Sequence, residues 1–347
     1  MARSKRQSRA KTGWEKLPDE DLLTMRIRDL GLQIPGSPLE KPIGRLYAEL
    51  DAQGIAFHPR CYLADEWLCP DKVPVIGIPF VLAHPRLKKL ERRMMLEVEG
   101  GTEASCMKLL RHEAGHTLNY AYELFRRTRW RELFGPFTAR YTDDYSPRPY
   151  SKRFVNHLRD NYAQSHPDED FAETFAVWLA LPGRWRDKYR GWPALRKLRY
   201  VDHLMRRIGP AEPIVTGGQT PWSASRMTST LANYYQRKRR TLGEDFPGFF
   251  DPALQRLFAS ADAAGADEVK ASEFLRRWRR ATVSAVATWT GQRKFDIDRL
   301  LGKLIRRAEA MDLRVRKGEP EMASEVAAFV TAVINEVYRF AEDAESR

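Results

Sequence analysis

LLRHEAGHTL, residues 109–118, is the stretch on which the reading of this chain turns. His112 and His116 stand four residues apart, with Glu113 directly after the first. On a helix, residues at that spacing share a face, with Cβ atoms about 5–6 Å apart. Two imidazoles so placed can hold one Zn²⁺ at roughly 2.0–2.1 Å. Glu113 lies beside the pair, where a carboxylate reaches the attacking water and serves as general base. The helix is well marked. Thr102 suits its N-cap after Gly100 and Gly101, and Leu110, Ala114, Leu118, Ala121 and Phe125 repeat at helical spacing. A helix is expected from Thr102 to about Arg127. Gly115 leaves room on it for a close backbone or a metal.

Two histidines and a glutamate also occur by chance on exposed helices, where all three are merely solvated. A third ligand separates the cases. A histidine six residues past His116 would be one, but that position is Tyr122, and Asn119 stands where that pattern wants glycine. The alternative is a carboxylate from another helix. SHPDEDFAETFAVWLA, residues 165–180, supplies it. Pro167 suits a first helical turn, and Asp168, Glu169 and Asp170 suit its positive end. Glu169, Glu173 and Ala176 share one face of this helix, while Phe171, Phe175 and Trp178 line another. One face can present Glu169 to the metal while Glu173, one turn on, accepts the second N–H of a ligand imidazole. Spacing alone does not choose between the two glutamates. If Glu173 were the ligand, the position one turn on would fall to Val177, which accepts no hydrogen bond.

HEAGH followed by EDFAETFA resembles the gluzincin metallopeptidases, most closely the lethal-factor-like branch and the bacterial zinc-binding metallopeptidases related to it. The resemblance covers about residues 55–205 and rests on these short motifs. It implies that Glu169, the first glutamate of the motif, is the third zinc ligand. It also implies an oxyanion-stabilising tyrosine seven residues earlier, at Tyr162. A phenol suits that role chemically, since it donates to a developing oxyanion from the side away from the base. Tyr120, Tyr141, Tyr145 and Tyr150 compete for it. In such enzymes an edge strand runs beside the cleft and the substrate adds to it as a further strand. Residues 73–82, VPVIGIPFVL, are the candidate, with Ile76, Gly77 and Ile78 as substrate-binding positions. Pro74 and Pro79 cannot donate ladder hydrogen bonds, which suits an edge. An ordinary edge strand covered by the N-terminal helices is the plainer reading.

Outward from these motifs the chain falls into segments. Residues 1–13 read as a basic disordered tail. Residues 18–30 and 38–53 have helical apolar spacing and are parted by Pro35, Gly36 and Pro38. Residues 55–64 read as a strand, 85–97 as a basic helix, 134–152 as a loop and 151–161 as a helix. PAEPIVTGGQTPW, residues 210–222, has linker composition. Beyond it only helical periods remain, at 231–240, 269–290, 296–311 and 323–340. No repeat, serine nucleophile elbow, P-loop or dinucleotide-binding glycine pattern is present.

The 347 residues suffice for two domains, and a hydrophobic content of 43% supports a real core. No apolar run reaches the roughly 20 residues of a spanning helix, and the basic N-terminus lacks the apolar stretch of a signal peptide. A cytoplasmic protein without membrane contact is expected. Three cysteines, with no CxxC pair, argue against a disulfide framework or a zinc ribbon. A net charge of +13 raises nucleic acid as a partner, although no nucleic-acid-reading motif accompanies the basic runs.

The expected fold is α+β. A zincin-like metallopeptidase domain spans 14–212, with a small sheet and an active-site helix. A linker at 213–221 leads to an all-α domain at 222–347. The expected function is hydrolysis of a protein or peptide substrate, with Zn²⁺ as cofactor. Two alternatives stay open: a protease acting on nucleic-acid-associated proteins, and a non-catalytic binding module working through the helical domain.

Overall fold

A computed structural model describes residues 13–141, 148, 151–158, 161–238, 250–260 and 268–345. The expected tail at 1–13, apart from Gly13, lies outside the described residues, as do Tyr145 and Tyr150. The chain divides into two compact units, one of residues 1–94 and 98–235, the other of 95–97 and 236–347.

The first unit opens with α1 (Asp19–Thr24), a 3₁₀ turn over Ile27–Leu30, and α2 (Glu40–Ala52). Strands β1 (Arg60–Ala64) and β2 (Val75–Pro79) then pair in parallel, with Cys61 opposite Ile76 and Leu63 opposite Ile78. The helices α3 (Pro85–Met95), α4 (Glu103–Ala121), α5 (Thr128–Phe134), α6 (Pro167–Ala180), α7 (Trp185–Lys188), α8 (Leu195–Ile208) and α9 (Leu231–Lys238) follow. Architecture is thus α+β, with a small sheet beside a helical layer.

The strand reading needs one correction. Gly77 donates its N–H to Leu68 O at 2.8 Å, and Leu68 donates back to Gly77 O at 3.3 Å. Leu68 therefore covers β2 on the side away from β1, and Ile76 and Ile78 are fully buried. The expected substrate-pairing edge at Ile76, Gly77 and Ile78 is already occupied by the chain itself. A Cβ on Gly77 would lie 2.5 Å from Leu68 Cδ2, so glycine there serves this internal approach.

Helix α4 begins as expected. The Thr102 hydroxyl accepts from Ser105 N, and the Ser105 hydroxyl accepts from Thr102 N, which satisfies two of the free donors at the helix start. It stops at Ala121, well before Arg127. Glu123 adopts a left-handed conformation, with φ of 47°, and a 3₁₀ turn takes over Leu124–Arg126. Ile214 N and Val215 N both donate to Ala121 O, at 2.8 and 3.0 Å, and so terminate the helix by tertiary contact. The same contacts hold the expected linker 213–221 on the first unit. Farther on, Leu231 N donates to Met25 O and Ile27 N to Ser229 O, and the division of the chain falls after Tyr235. No helix forms over 151–158, where the chain turns and bends.

Helices α4 and α6 make the densest helical contact of this unit. Gly115 permits it: a Cβ there would meet Ala172 Cα at 2.7 Å and Ala172 O at 3.0 Å. Phe171, Phe175 and Trp178 on the far side of α6 are buried and anchor it in the core.

The second unit contains α10 (Asp251–Leu257), β3 (Ala259–Ser260), α11 (Ala271–Thr290), α12 (Lys294–Ala310), β4 (Leu313–Arg314) and α13 (Glu319–Glu345). Its core is apolar, built around Phe274, Val286, Leu300, Leu304, Val326 and Val330. The two-residue strands β3 and β4 pair antiparallel, a departure from the purely helical pattern expected. No helix among the described residues is long and apolar enough to cross a membrane.

Candidate metal centre

The α4–α6 contact brings three donor atoms together. His112 Nε2 and His116 Nε2 lie 3.1 Å apart, and Glu169 Oε2 lies 3.0 Å from the first and 3.2 Å from the second. All three residues are buried, and they form a group able to hold a metal ion. Four tetrahedral ligands at 2.0–2.1 Å from zinc are about 3.3 Å from one another. The triangle of donors matches one face of that tetrahedron to within a few tenths of an ångström.

The opposite ring nitrogens show why this triangle suits a cation. His112 Nδ1 lies 2.9 Å from Glu173 Oε1, and His116 Nδ1 lies 2.9 Å from Asp168 Oδ2. Carboxylates only accept, so each Nδ1 carries the proton and each Nε2 presents its lone pair to the centre. Two lone pairs and a carboxylate oxygen at this separation repel unless a proton or a metal lies between them. Without a metal, protons take that place. Burial pulls the His112 pKa down, but its hydrogen bonds to Glu169 and Glu173 outweigh this and push it up to about 9. Burial likewise opposes protonation of His116, and Asp168 and Glu169 override it. Burial alone would raise Glu169, but the two imidazoles hold it well below the usual carboxylate range. The residues fit a zinc ion with three protein ligands and one open position.

The supporting carboxylates are themselves fixed. Glu173 Oε2 accepts from Leu158 N at 2.8 Å and His157 N at 3.3 Å. The backbone at 157–158, expected to be helical, instead spends its N–H groups on this carboxylate. Asp168 accepts from Asn119 Nδ2 and Tyr120 Oη, both at 2.6 Å, as well as from His116. Glu173 thus stands behind His112, on its Nδ1 side, whereas Glu169 faces both Nε2 atoms. Asp170 points elsewhere and pairs with the buried Lys197. Its pKa is pushed up to about 7 by burial, which the Lys197 charge only partly offsets.

Glu113 is 6% exposed and has no hydrogen-bond partner among the described residues. Burial raises its pKa, with His112 and His116 acting in the opposite sense. A buried, unpaired carboxylate beside the donor triangle has the properties of a general base. Tyr162 lies at the rim, its ring centroid 5.7 Å from that of His112. A second tyrosine is nearer to the acid: Tyr141 Oη donates to Glu169 Oε1 at 3.0 Å. Its ring stacks on His166 at 3.8 Å. His166 caps α6 by accepting from Asp168 N at 3.1 Å.

Sequence reasoning assigned no role to Asp168, which it took as one acid of a helix start. Its signal was Asn119, seven residues after His112 and therefore on the histidine face of α4, opposite the apolar stripe. Tyr141 was legible only as one competitor among several, because its contact depends on the loop that follows α5.

Residues 80–187 match the model of a family described as "Putative zinc-binding metallo-peptidase". The matched stretch contains α4 and α6 with all three donor residues and both supporting carboxylates. Together the match and the His–His–Glu cluster support a zinc metallopeptidase. Comparison with curated proteins and with solved structures finds no match.

Proposed function

We propose that this chain hydrolyses peptide bonds in a protein or peptide substrate, with zinc held by His112, His116 and Glu169 in the gluzincin manner. The observation that carries this reading is the convergence of two imidazole lone pairs and one carboxylate oxygen within 3.2 Å, each imidazole backed by its own carboxylate. When bound, zinc supplies Lewis-acid polarisation of the scissile carbonyl and acidifies the attacking water. Glu113 accepts the proton of that water and delivers it to the departing amine. Its buried setting, which raises its pKa, favours that return step. Tyr162 donates to the developing oxyanion from the rim. Asp168 and Glu173 hold the imidazoles in the tautomer that leaves Nε2 free, and Tyr141 orients Glu169 through its second oxygen.

The test is a cleavage screen on a proteome-derived peptide library with protein stripped by a chelator and then reloaded. Cleavage is expected to vanish on stripping and return with zinc. A stoichiometrically zinc-loaded protein that cleaves nothing in the library or in intact denatured proteins would favour the non-catalytic binding module.

A further inference from the structure

Away from the metal centre, the first unit has a cavity of about 560 Å³ lined by Arg127, Arg129, Arg196, Arg199, Arg207 and Tyr200. It shares no residue with the donor triangle or its supporting carboxylates. From these residues we infer a binding site for a compact polyphosphate anion. Its volume falls in the range of small-molecule sites, roughly 300–1,000 Å³.

Three features distinguish it from an ordinary solvated basic face. First, its lining contains no carboxylate. Arg129 pairs with Glu132, but among the described residues Arg127, Arg196, Arg199 and Arg207 have no acidic partner. Four of the five are exposed, and together they make a local positive potential that attracts anions. Second, all five cations are arginines, in a chain where arginines outnumber lysines 43 to 16. The one lysine in this part of α8, Lys197, turns the other way and is buried against Asp170. A guanidinium presents planar, forked donors that fit phosphate oxygens, whereas a merely soluble surface is served as well by lysine. Third, the Tyr200 hydroxyl is buried without a hydrogen-bond partner among the described residues. Burial raises its pKa, and Arg127, Arg207 and Arg129 act against that rise, so their positive field reaches the phenol. The ring lines the cavity while the hydroxyl is closed off from solvent, so the arginines and not the phenol would meet a ligand.

The cations rim an open depression. Arg196, Arg199 and Arg207 recur at helical spacing along one face of α8, and Arg127 and Arg129 approach from the start of α5. Five guanidiniums in so small a volume call for four or five negative charges on one compact ligand. A chain of phosphates, inorganic or carried by a nucleotide, has that charge density. An acidic peptide spreads its carboxylates along an extended backbone, and a duplex is met by a surface stripe rather than a cavity.

Adjacent residues provide the test. Arg206 and Arg207 carry the same charge, but only Arg207 lines the cavity, while Arg206 lies 3.5 Å from Asp202. Full-length, zinc-loaded protein is titrated by calorimetry with sodium tripolyphosphate, with ATP and with a 30-base-pair DNA duplex. Wild type and Arg206→Gln are expected to bind tripolyphosphate equally. Arg207→Gln and Arg199→Gln are each expected to bind about 10–100-fold more weakly, as loss of a charge-assisted contact implies. Any chelation of zinc by the probe is common to all four proteins and cancels in the comparison. Tighter binding of ATP than of tripolyphosphate would assign the site to nucleotides, and equal binding to the phosphate chain alone. Identical affinities for Arg206→Gln and Arg207→Gln would overturn the inference. So would a duplex that binds through Arg199 and Arg207 and is not displaced by tripolyphosphate.

Discussion

Gly115→Ala should destabilise this protein and loosen its metal site, although alanine is the better helix former. In an open helix the change is worth about 0.8–1.0 kcal/mol in favour of alanine. Here the new Cβ would lie 2.7 Å from Ala172 Cα and 3.0 Å from Ala172 O. Ordinary carbon contacts are about 3.5–4.0 Å, so α4 and α6 must part by roughly 0.8–1.3 Å along that line. Neither contact is a flexible side-chain tip, and the strain cannot be relieved by a rotamer change. Overpacking of this kind costs about 1–3 kcal/mol. Less the roughly 1 kcal/mol gained in helix propensity, a net loss of up to about 2 kcal/mol remains, and at about 2–4 °C per kcal/mol the metal-free melting temperature should fall by up to roughly 8 °C. The effect on zinc is sharper, because His112 and His116 ride on α4 and Glu169 on α6. Metal–ligand distances tolerate only about 0.2 Å, far less than the forced separation. Zinc affinity, measured by chelator competition, should fall by at least the 10–100-fold typical of a disturbed supporting shell. A Gly115→Ala protein that melts at or above the wild-type temperature and binds zinc as tightly would show that this helix contact does not set the site.

The carboxylates should separate by rank in the same competition assay: Glu169→Ala should lose zinc at concentrations where Glu173→Ala and Asp168→Ala, weakened about 10–100-fold, still hold it. Near-wild-type affinity in Glu169→Ala would remove it from the ligand set. Tyr162→Phe should retain zinc and lower kcat by about 10²–10³, the usual loss for one oxyanion donor. An unchanged kcat with a large loss in Tyr141→Phe would move the role to Tyr141. Metal binding should also release protons. In the metal-free site the His112 pKa lies above its ordinary value, at about 9, so the ring is protonated at pH 7 and zinc must displace that proton. His116 is raised as well, so one or two protons leave, and affinity should rise with pH between 6.5 and 9 by about tenfold per unit for each proton displaced. Calorimetry at pH 7 in buffers of different ionisation enthalpy would detect the proton, and a pH-independent affinity between 6.5 and 9 would rule it out.

Much of the site was legible because it obeys helical spacing. His112, Glu113 and His116 declare their common face within five residues, and Glu169 and Glu173 do so one turn apart. Which of the two glutamates faces the Nε2 atoms depends on the crossing of α4 and α6, which spacing along one helix does not encode. The partnership of Asp168 with His116, Asn119 and Tyr120 has the same origin. Other features were hidden because distant backbone decides them. Helix α4 ends where Ile214 and Val215 reach Ala121, against a continuing apolar period through Phe125. Strand β2 has the prolines of an edge, yet Leu68 folds back to occupy it. The 151–158 segment has helical spacing, but the N–H groups of His157 and Leu158 go to Glu173 instead of a helix. Linker composition at 210–222 reflected a chain without regular structure of its own, not one free of the first unit.

Glu113→Gln tests the central claim most directly. Glutamine keeps the size of the side chain and leaves His112, His116 and Glu169 in place, but it cannot take a proton from water. Zinc content and cleavage of the same peptide library should be measured on one preparation each of wild type and variant. One zinc per chain in both proteins, with hydrolysis nearly abolished in the variant, is the predicted result. Wild-type turnover in a fully zinc-loaded Glu113→Gln protein would contradict the account.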